Sequence, residues 1–317
     1  MDKSLVEEIR ACLPRGRTLF HYFKDRYALM LLAWMVGEGA PLSRLRAGRA
    51  ARLLQKPTVR ELMAQLGNAR LDRLSLASMW SPDTRTFLLT LDQWGGRRAR
   101  WFQTSRPGYN LVLQLNFSHG HDGAYRELVR PVCRAYLNGW GHPVLREGRR
   151  RDLLRETLAW ARMDLDFDTG EALIEEIQSD WVREAASLRR AAQRARECGH
   201  RDLAFWEVEG LPDAIIRYVD EVLTPYRRMW AEAMLAATLM FLREELGLRV
   251  IYYHSHETGS RVKSMGEWLP PRSLYTDLPR RFCFEETRDC PTFLLADKAF
   301  RRKYRRIAAP RWQRLEL

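Results

Sequence analysis

The sequence is poor in cysteine, in histidine and in long apolar runs, and each shortage removes a class of protein. Five cysteines in 317 residues (12, 133, 198, 283 and 290) include no Cys-x-x-Cys pair. That argues against a structural zinc ribbon and against a disulfide framework. The most apolar stretch, residues 27–36, is ten residues long, whereas a membrane helix needs about 20. The opening MDKSLVEEIR lacks the apolar core of a secretory signal. These features predict a cytoplasmic protein with reduced thiols and no membrane partner. The length suits a substantial core in one large or two modest domains.

Acidic residues are also in short supply relative to basic ones. Lys and Arg number 53 against 40 Asp and Glu, a net charge of +13. The excess is arginine, clustered at residues 44–52, 97–100, 149–151, 189–196 and 301–306. Such runs are the electrostatic footprint of a nucleic-acid or other polyanionic partner. Arginine suits phosphate because its planar fork bonds bidentately. Arg149, Arg150 and Arg151, with Arg301, Arg302, Lys303, Arg305 and Arg306, are the candidate nucleic-acid contacts. Phe300, Tyr304 and Trp312 interleave with the last of these, and aromatic faces stack on unpaired bases. The plainer reading is a set of solvated faces that keep the chain soluble or meet a protein partner.

Hydrophobic periodicity divides the chain. Leu5 and Ile9, then Leu19, Tyr22, Phe23, Tyr27, Met30, Leu31 and Trp34, recur at helical spacing. Residues 1–80 therefore read as a helical lobe, a candidate surface for a protein partner. The period then changes to that of strands at 86–94, 99–104 and 109–117, with Gly95-Gly96 as a hairpin turn. Residues 125–137 and 152–163 read as helices, 172–178 as a strand, 181–198 as a basic helix and 225–246 as a long buried helix. Strands follow at 250–254, 280–286 and 292–295, then a basic tail at 297–317. The expected class is α+β, with the helical lobe 1–80 packed on a mixed-sheet core, 81–317.

The segment ALIEEIQSDW, residues 172–181, carries the most chemistry. Alternate strand residues share a face, so Glu176, Gln178 and Asp180 project together. A carboxylate, an amide and a carboxylate at one strand end can orient an amine, take a proton or hold a metal. Ser179 or Asp180 would equally serve as a helix N-cap. A one-residue shift in register exchanges Glu175 with Glu176. Two His-x-His pairs, His119/His121 and His254/His256, stand beside Asp122 and Glu257. Metal-ligand chemistry is one reading of them, strand-end hydrogen bonding the other. The loop after the strand 250–254 offers His254, Ser255, His256, Glu257, Thr258, Ser260, Arg261 and Lys263 as a polar set able to hold a phosphate or a substrate.

The string EEIQSDW resembles a motif of domains in large polyvalent phage-encoded proteins and related uncharacterised bacterial proteins. The resemblance extends to Tyr125-Arg126-Glu127-Leu128 upstream and to the helix and strand downstream, about residues 105–290. It implies no particular activity. The order strand, helix, strand, short strands over about 165–296 is also similar to the GNAT acetyltransferase superfamily. That resemblance implies acyl-coenzyme A in the splay between two central strands, with its diphosphate on a glycine-rich loop that opens a helix. It implies Glu176 as base or amine-orienting group, Gln178 and Asp180 beside it, and Tyr275 as acid. Two departures are visible: WVREAASLRRAAQRAR after Asp180 has no glycine, and the segment from Tyr275 to Phe282 lacks the glycine of the superfamily's late Tyr motif.

Three functions follow as expectations. One is an acyltransferase acting on a nucleic-acid-linked or other polyanionic substrate. Another is a non-enzymatic nucleic-acid or protein binding module. The third is a metal-dependent hydrolase using the His-x-His pairs.

Overall fold

A computed structural model describes the chain except residues 13–17, 67–69, 98–101, 134–135, 140, 146–154, 201–202, 204–205 and 267–269. Eight strands form one sheet: β1 Thr18–Tyr22, β2 Arg85–Gly96, β3 Gly108–Asn116, β4 Thr157–Asp166, β5 Glu171–Gln178, β6 Val250–His254, β7 Glu285–Thr287 and β8 Trp312–Glu316. Their order is β1-β2-β3-β4-β5-β6-β8-β7. Every neighbouring pair is antiparallel except β5 and β6. The helices that matter below are α1 Lys3–Cys12, α2 Arg26–Val36, α3 His119–Leu128, α4 Asp180–Glu197, α5 Thr224–Met240 and α6 His256–Lys263. The mixed α and β content agrees with the class read from the sequence. Among the described residues no helix is long and apolar enough to cross a membrane.

The main hydrophobic cluster runs from Val6, Tyr27 and Leu31 through Leu113 and Ile174 to Ala236 and Phe282. Residues 1–80 and the body therefore share a core. The first strand itself comes from residues 1–80, because Thr18–Tyr22 pairs with 85–89 at the sheet edge. This corrects the helical reading of Leu19 and Tyr22. The stripe begins as a helix only at Arg26, and TLFHY, rich in β-branched and aromatic residues, takes the free edge instead.

Four further segments differ from their reading in the sequence. Residues 152–163 read as a helix, yet β4 is the central strand, buried along nearly its whole length. A strand covered on both faces does not alternate, so Ala, Leu and Met suggested a helix. The expected three-stranded meander is a direct pairing of β2 with β3. Gly95 and Gly96 lie within β2 opposite Tyr109 and Gly108, and of the strand expected at 99–104 the described part is not extended. A methyl at Gly95, whose φ is 120°, would lie 2.4 Å from the Gly108 carbonyl oxygen, so the glycine permits close strands rather than a turn. Thr292–Ala296 is helical rather than extended, and of residues 280–286 only the end joins β7. The basic tail is folded: β8 inserts between β6 and β7, with Trp312 and Leu315 fully buried.

Trp312 also closes a second cluster with Phe300, Tyr252 and Phe293. Trp312→Ala should therefore lower the unfolding free energy by about 3–5 kcal/mol, as large aromatic deletions in cores do. Urea titration reads this directly, and a loss within about 0.5 kcal/mol, typical of a surface change, would contradict the burial.

Candidate functional site: the fork between β5 and β6

The parallel ladder is short. Glu171 to Ile174 of β5 pair with Val250 to Tyr253 of β6, and there the pairing stops. Beyond it β5 continues to Gln178 and the two strands part. On the other side of β5 the register against β4 slips: Met163 faces Ile174, and Arg162 faces Glu176. Glu175 is the bulged residue. The bulge re-phases the strand, so Ile174 and Ile177, three positions apart, both enter the main core. Glu175 and Glu176 are both buried and both reach partners on the opposite face. The question of which glutamate turns inward thus has a structural answer: the bulge turns both.

Their partners differ. Glu176 forms an ion pair with Arg162 Nη2, which also donates to the Gln103 carbonyl, while Nη1 donates to the Phe102 carbonyl. Glu175 accepts from the Ser105 amide at 2.9 Å, from Ser105 Oγ at 2.8 Å and from His254 Nε2 at 3.0 Å. Ser105 and the carboxylate meet the same imidazole nitrogen, so this is not a nucleophile relay, in which they would sit on opposite nitrogens. Lys263 is 1% exposed and its Nζ donates to the Glu175 carbonyl at 2.8 Å. Burial works to raise both glutamate pKa values, but the surrounding hydrogen-bond donors and charges win. His254, Lys263 and Arg162 hold Glu175 at about 2, and Arg162 and Lys263 lower Glu176. Burial pushes His254 and Lys263 down.

A cavity of about 900 Å3 opens at the fork, lined among others by Glu176, Gln178, His142, Val182, Trp230 and Leu274. Ser179 starts α4, its Oγ accepting from the Val182 amide at 3.2 Å. Asp180 is buried and is the acceptor on which this end of the cavity converges. It receives Gln178 Nε2 at 2.5 Å, His142 Nδ1 at 2.6 Å, Arg183 Nη2 at 2.8 Å and Trp160 Nε1 at 3.4 Å. Burial opposes its ionisation, but His142, Gln178 and Arg183 keep its pKa below the ordinary carboxylate value. Tyr275 is buried behind the wall, beside Leu274. Its hydroxyl has no hydrogen-bond partner among the described residues, and burial, then the charge of Glu176, raise its pKa well above 10.0.

Glu176 and Gln178 both line the cavity, and Gln178 reaches Asp180, which is the first residue of α4 and not a strand residue. The segment after β6 does not behave as a phosphate loop. It is α6, capped by Ser255, and the helix divides its side chains. Thr258 and Lys263 point inward with His254, whereas Glu257 pairs with Arg272, Ser260 bonds the Glu257 carbonyl and Arg261 is exposed. His256 reaches the Pro270 carbonyl at 3.3 Å. The His-x-His pairs are not gathered either. His119 is exposed on α3, while His121 is buried against Phe117, with its nitrogens facing Asp122 and the Tyr218 hydroxyl. Among the described residues no three His, Cys, Asp or Glu side chains group around a metal position.

The arginines are divided as well. Arg149, Arg150 and Arg151 lie outside the described residues. Arg49 and Arg52 bond the carbonyls of Glu316 and Arg280, and Arg189 and Arg196 pair with Asp220 and Asp213. Arg301, Arg302, Arg305 and Arg306 are exposed, while Lys303 donates to the Val262 carbonyl. The aromatic residues among them are not offered for base stacking. Phe300 and Trp312 are buried, and the Trp312 indole donates to the Tyr304 hydroxyl. Sequence reasoning missed Arg162, Ser105 and His142, because each stands alone in its segment with no motif around it.

The cluster predicts two behaviours. Lys263→Met leaves two buried carboxylates with one close cation and should cost on the order of 3–5 kcal/mol. Adding Glu176→Gln should restore part of that loss, and equal destabilisation by the double variant would argue against the charge balance. Acid should erode stability. His254 is held neutral below its ordinary 6.5, so the unfolded chain takes up that proton first as pH falls. Glu175 is lowered from 4.5, so its contribution is complete above that pH and lost towards about 2. The urea midpoint should therefore fall with pH, through His254 below about pH 7 and through Glu175 below about pH 4.5, and a flat profile from pH 7 down to about pH 3 would be inconsistent with both.

No family model matches this chain, and no curated protein or solved structure matches it either.

Proposed function

We propose that the protein is a GNAT-like acyltransferase that modifies an amine carried by, or held close to, a polyanion such as nucleic acid. The observation that carries this reading is the fork: the parallel pair β5/β6 parts after four residues and opens a cavity at its end, mostly apolar in its wall but carrying Glu176 and Gln178. Ligands of α/β sheets gather at the carboxyl ends of parallel strands. The strand order, with β8 inserted between β6 and β7, is consistent with it. The net charge of +13 and the exposed Arg301, Arg302, Arg305 and Arg306 support a polyanionic substrate.

The residues at the start of α4 do not fit the diphosphate of coenzyme A. Ser179 already caps the Val182 amide, and the Asp180 carboxylate occupies the end of the helix where an anion would be held. The acyl donor is accordingly an activated ester or thioester recognised by its acyl end rather than by a diphosphate at α4. Glu176 is also a poor base, because Arg162 stabilises its charged form; it shapes the wall and attracts a cationic acceptor. Gln178, bonded to Asp180, presents its remaining amide group to the cavity. Tyr275 stays protonated and is a hydrogen-bond donor beneath the wall.

The test is transfer of labelled acetyl to an amine-tagged oligonucleotide and to the same free amine. Acetyl-coenzyme A and the S-acetyl thioester of N-acetylcysteamine, which has no diphosphate, serve as donors. Both donors should work about equally. The oligonucleotide should be preferred at low salt, with the preference shrinking as salt rises through counterion release. Val182→Trp, which fills the cavity from the helix side, should abolish transfer without unfolding the protein. No labelled product from either donor would sink the proposal.

A further inference from the structure

A second cavity lies between β1, α2, the short helix Arg73–Ser78 and the C-terminal end of α5. Its volume is about 210 Å3, and it shares no lining residue with the fork cavity. Most of its wall is apolar, with Phe20, Leu29, Leu76 and Met240 among the contributors. Arg26 is set in this wall. It is half-buried, its guanidinium lies over the Phe20 ring at 5.9 Å, and among the described residues its side chain has no ion pair and no hydrogen bond. The acidic groups around it are engaged elsewhere. Asp25 pairs with Lys56 at 3.1 Å, Glu232 with Lys24 at 2.5 Å and Arg281 at 2.7 Å. Glu244, exposed at the edge of the cavity, accepts from the Trp34 indole at 3.0 Å. Arg73, also exposed there, adds a further positive charge. Tyr22 lines the cavity and is fully buried, and its hydroxyl proton finds no acceptor among the described residues.

We propose that this cavity binds a small carboxylic acid with an apolar body, one ring or a short branched chain. A cation withdrawn from water without a counter-ion is costly, and Arg26 is such a cation. Burial lowers its pKa, and Tyr22 alone acts the other way. Arg26 is also the first residue of α2, where the helix dipole favours negative charge, and Asp25 before it caps no amide with its side chain. A carboxylate supplies the missing charge, because the guanidinium fork can bond both of its oxygens, and Tyr22 offers a further uncommitted donor. The apolar wall takes up the rest of the molecule. Size narrows the class. An apolar cavity of about 150 Å3 takes up benzene, whereas drug-sized ligands occupy about 300 Å3 or more. The space therefore suits a single substituted ring and excludes a nucleotide or a long acyl chain. The proposal does not depend on the acyltransferase reading.

The test is calorimetric titration of the full chain with benzoate, phenylacetate and isovalerate, alongside their amides and acetate. At least one of the three acids should saturate at one molecule per chain. Its amide keeps the apolar body and loses the charge, and acetate keeps the charge and loses the body; both should bind at least about tenfold more weakly. Arg26→Met should weaken the acid by about 10- to 100-fold, the worth of a hydrogen bond to a charged group. Ala77→Trp, at an exposed position of the short helix that lines the cavity, keeps every charge and should abolish binding. That variant separates the cavity from adsorption on the arginine-rich surface. The proposal is overturned if none of the three acids saturates, if an amide binds as well as its acid, or if either variant binds as tightly as the wild type. Each of these readouts is binding alone, so the acyltransferase reading stands or falls separately on transfer.

Discussion

Glu175 has no ladder partner on either side, and much of the molecule is arranged around that residue. Against β4 it is the bulge, and against β6 it is the first residue past the end of the pairing. A buried carbonyl released from a sheet must find another donor, and Lys263 supplies it from α6. That lysine brings a charge into the interior. Arg162 brings a second, and the carboxylates of Glu175 and Glu176 supply the two opposite ones. Buried charge is tolerated when paired and hydrogen-bonded, and here two cations and two anions balance within one fork. The cluster also ties down the segment after β2, because Arg162 holds the carbonyls of Phe102 and Gln103 while Glu175 holds Ser105. Lose one member and a strand end, a helix and a connecting segment each lose an anchor.

This arrangement separates the roles of charges that look alike in the sequence. The arginine surplus suggests one binding surface, yet Arg49 and Arg52 stitch the N-terminal helices to the C-terminal part, Arg189 and Arg196 hold α4 to its neighbours, and Arg162 is in the interior. Arg301, Arg302, Arg305 and Arg306 face solvent, as do Arg44, Arg46, Arg228 and Arg288 elsewhere on the chain. Surface ion pairs of this kind contribute little each. Their value to the fold is in orientation, and the outward remainder is what a polyanion would meet.

The strand 172–178, the helix that follows it, the long buried helix and the strand 250–254 were legible because each has a clean period and a marked end. The shared face of Glu176 and Gln178 was legible for the same reason. What was not legible is non-local. β4 reads as a helix because its neighbours, not its residues, bury it on both faces. β1 and β8 are short segments whose state depends on an edge or a gap left by other strands. The bulge at Glu175 leaves no trace in composition, and so the partners of the two glutamates were out of reach. His142 sits in a stretch of mixed polarity, and only folding brings it to Asp180, 38 positions away.

Two of the acidic side chains that line or border the cavity have lowered pKa values, Glu176 through Arg162 and Lys263, Asp180 through His142, Gln178 and Arg183. A carboxylate that serves as a base near neutral pH is tuned the other way, upward, by an apolar setting or a like charge. Here both carboxylates are instead held as charged partners of the groups around them. An imidazole is the side chain whose charge changes near neutral pH, and a phenol kept protonated by burial donates without ionising. Tyr275 beneath the wall of the fork is such a phenol. The acidic motif that draws the eye in the sequence thus serves to hold the fork together, Glu176 through Arg162 and Asp180 through Gln178, His142 and Arg183.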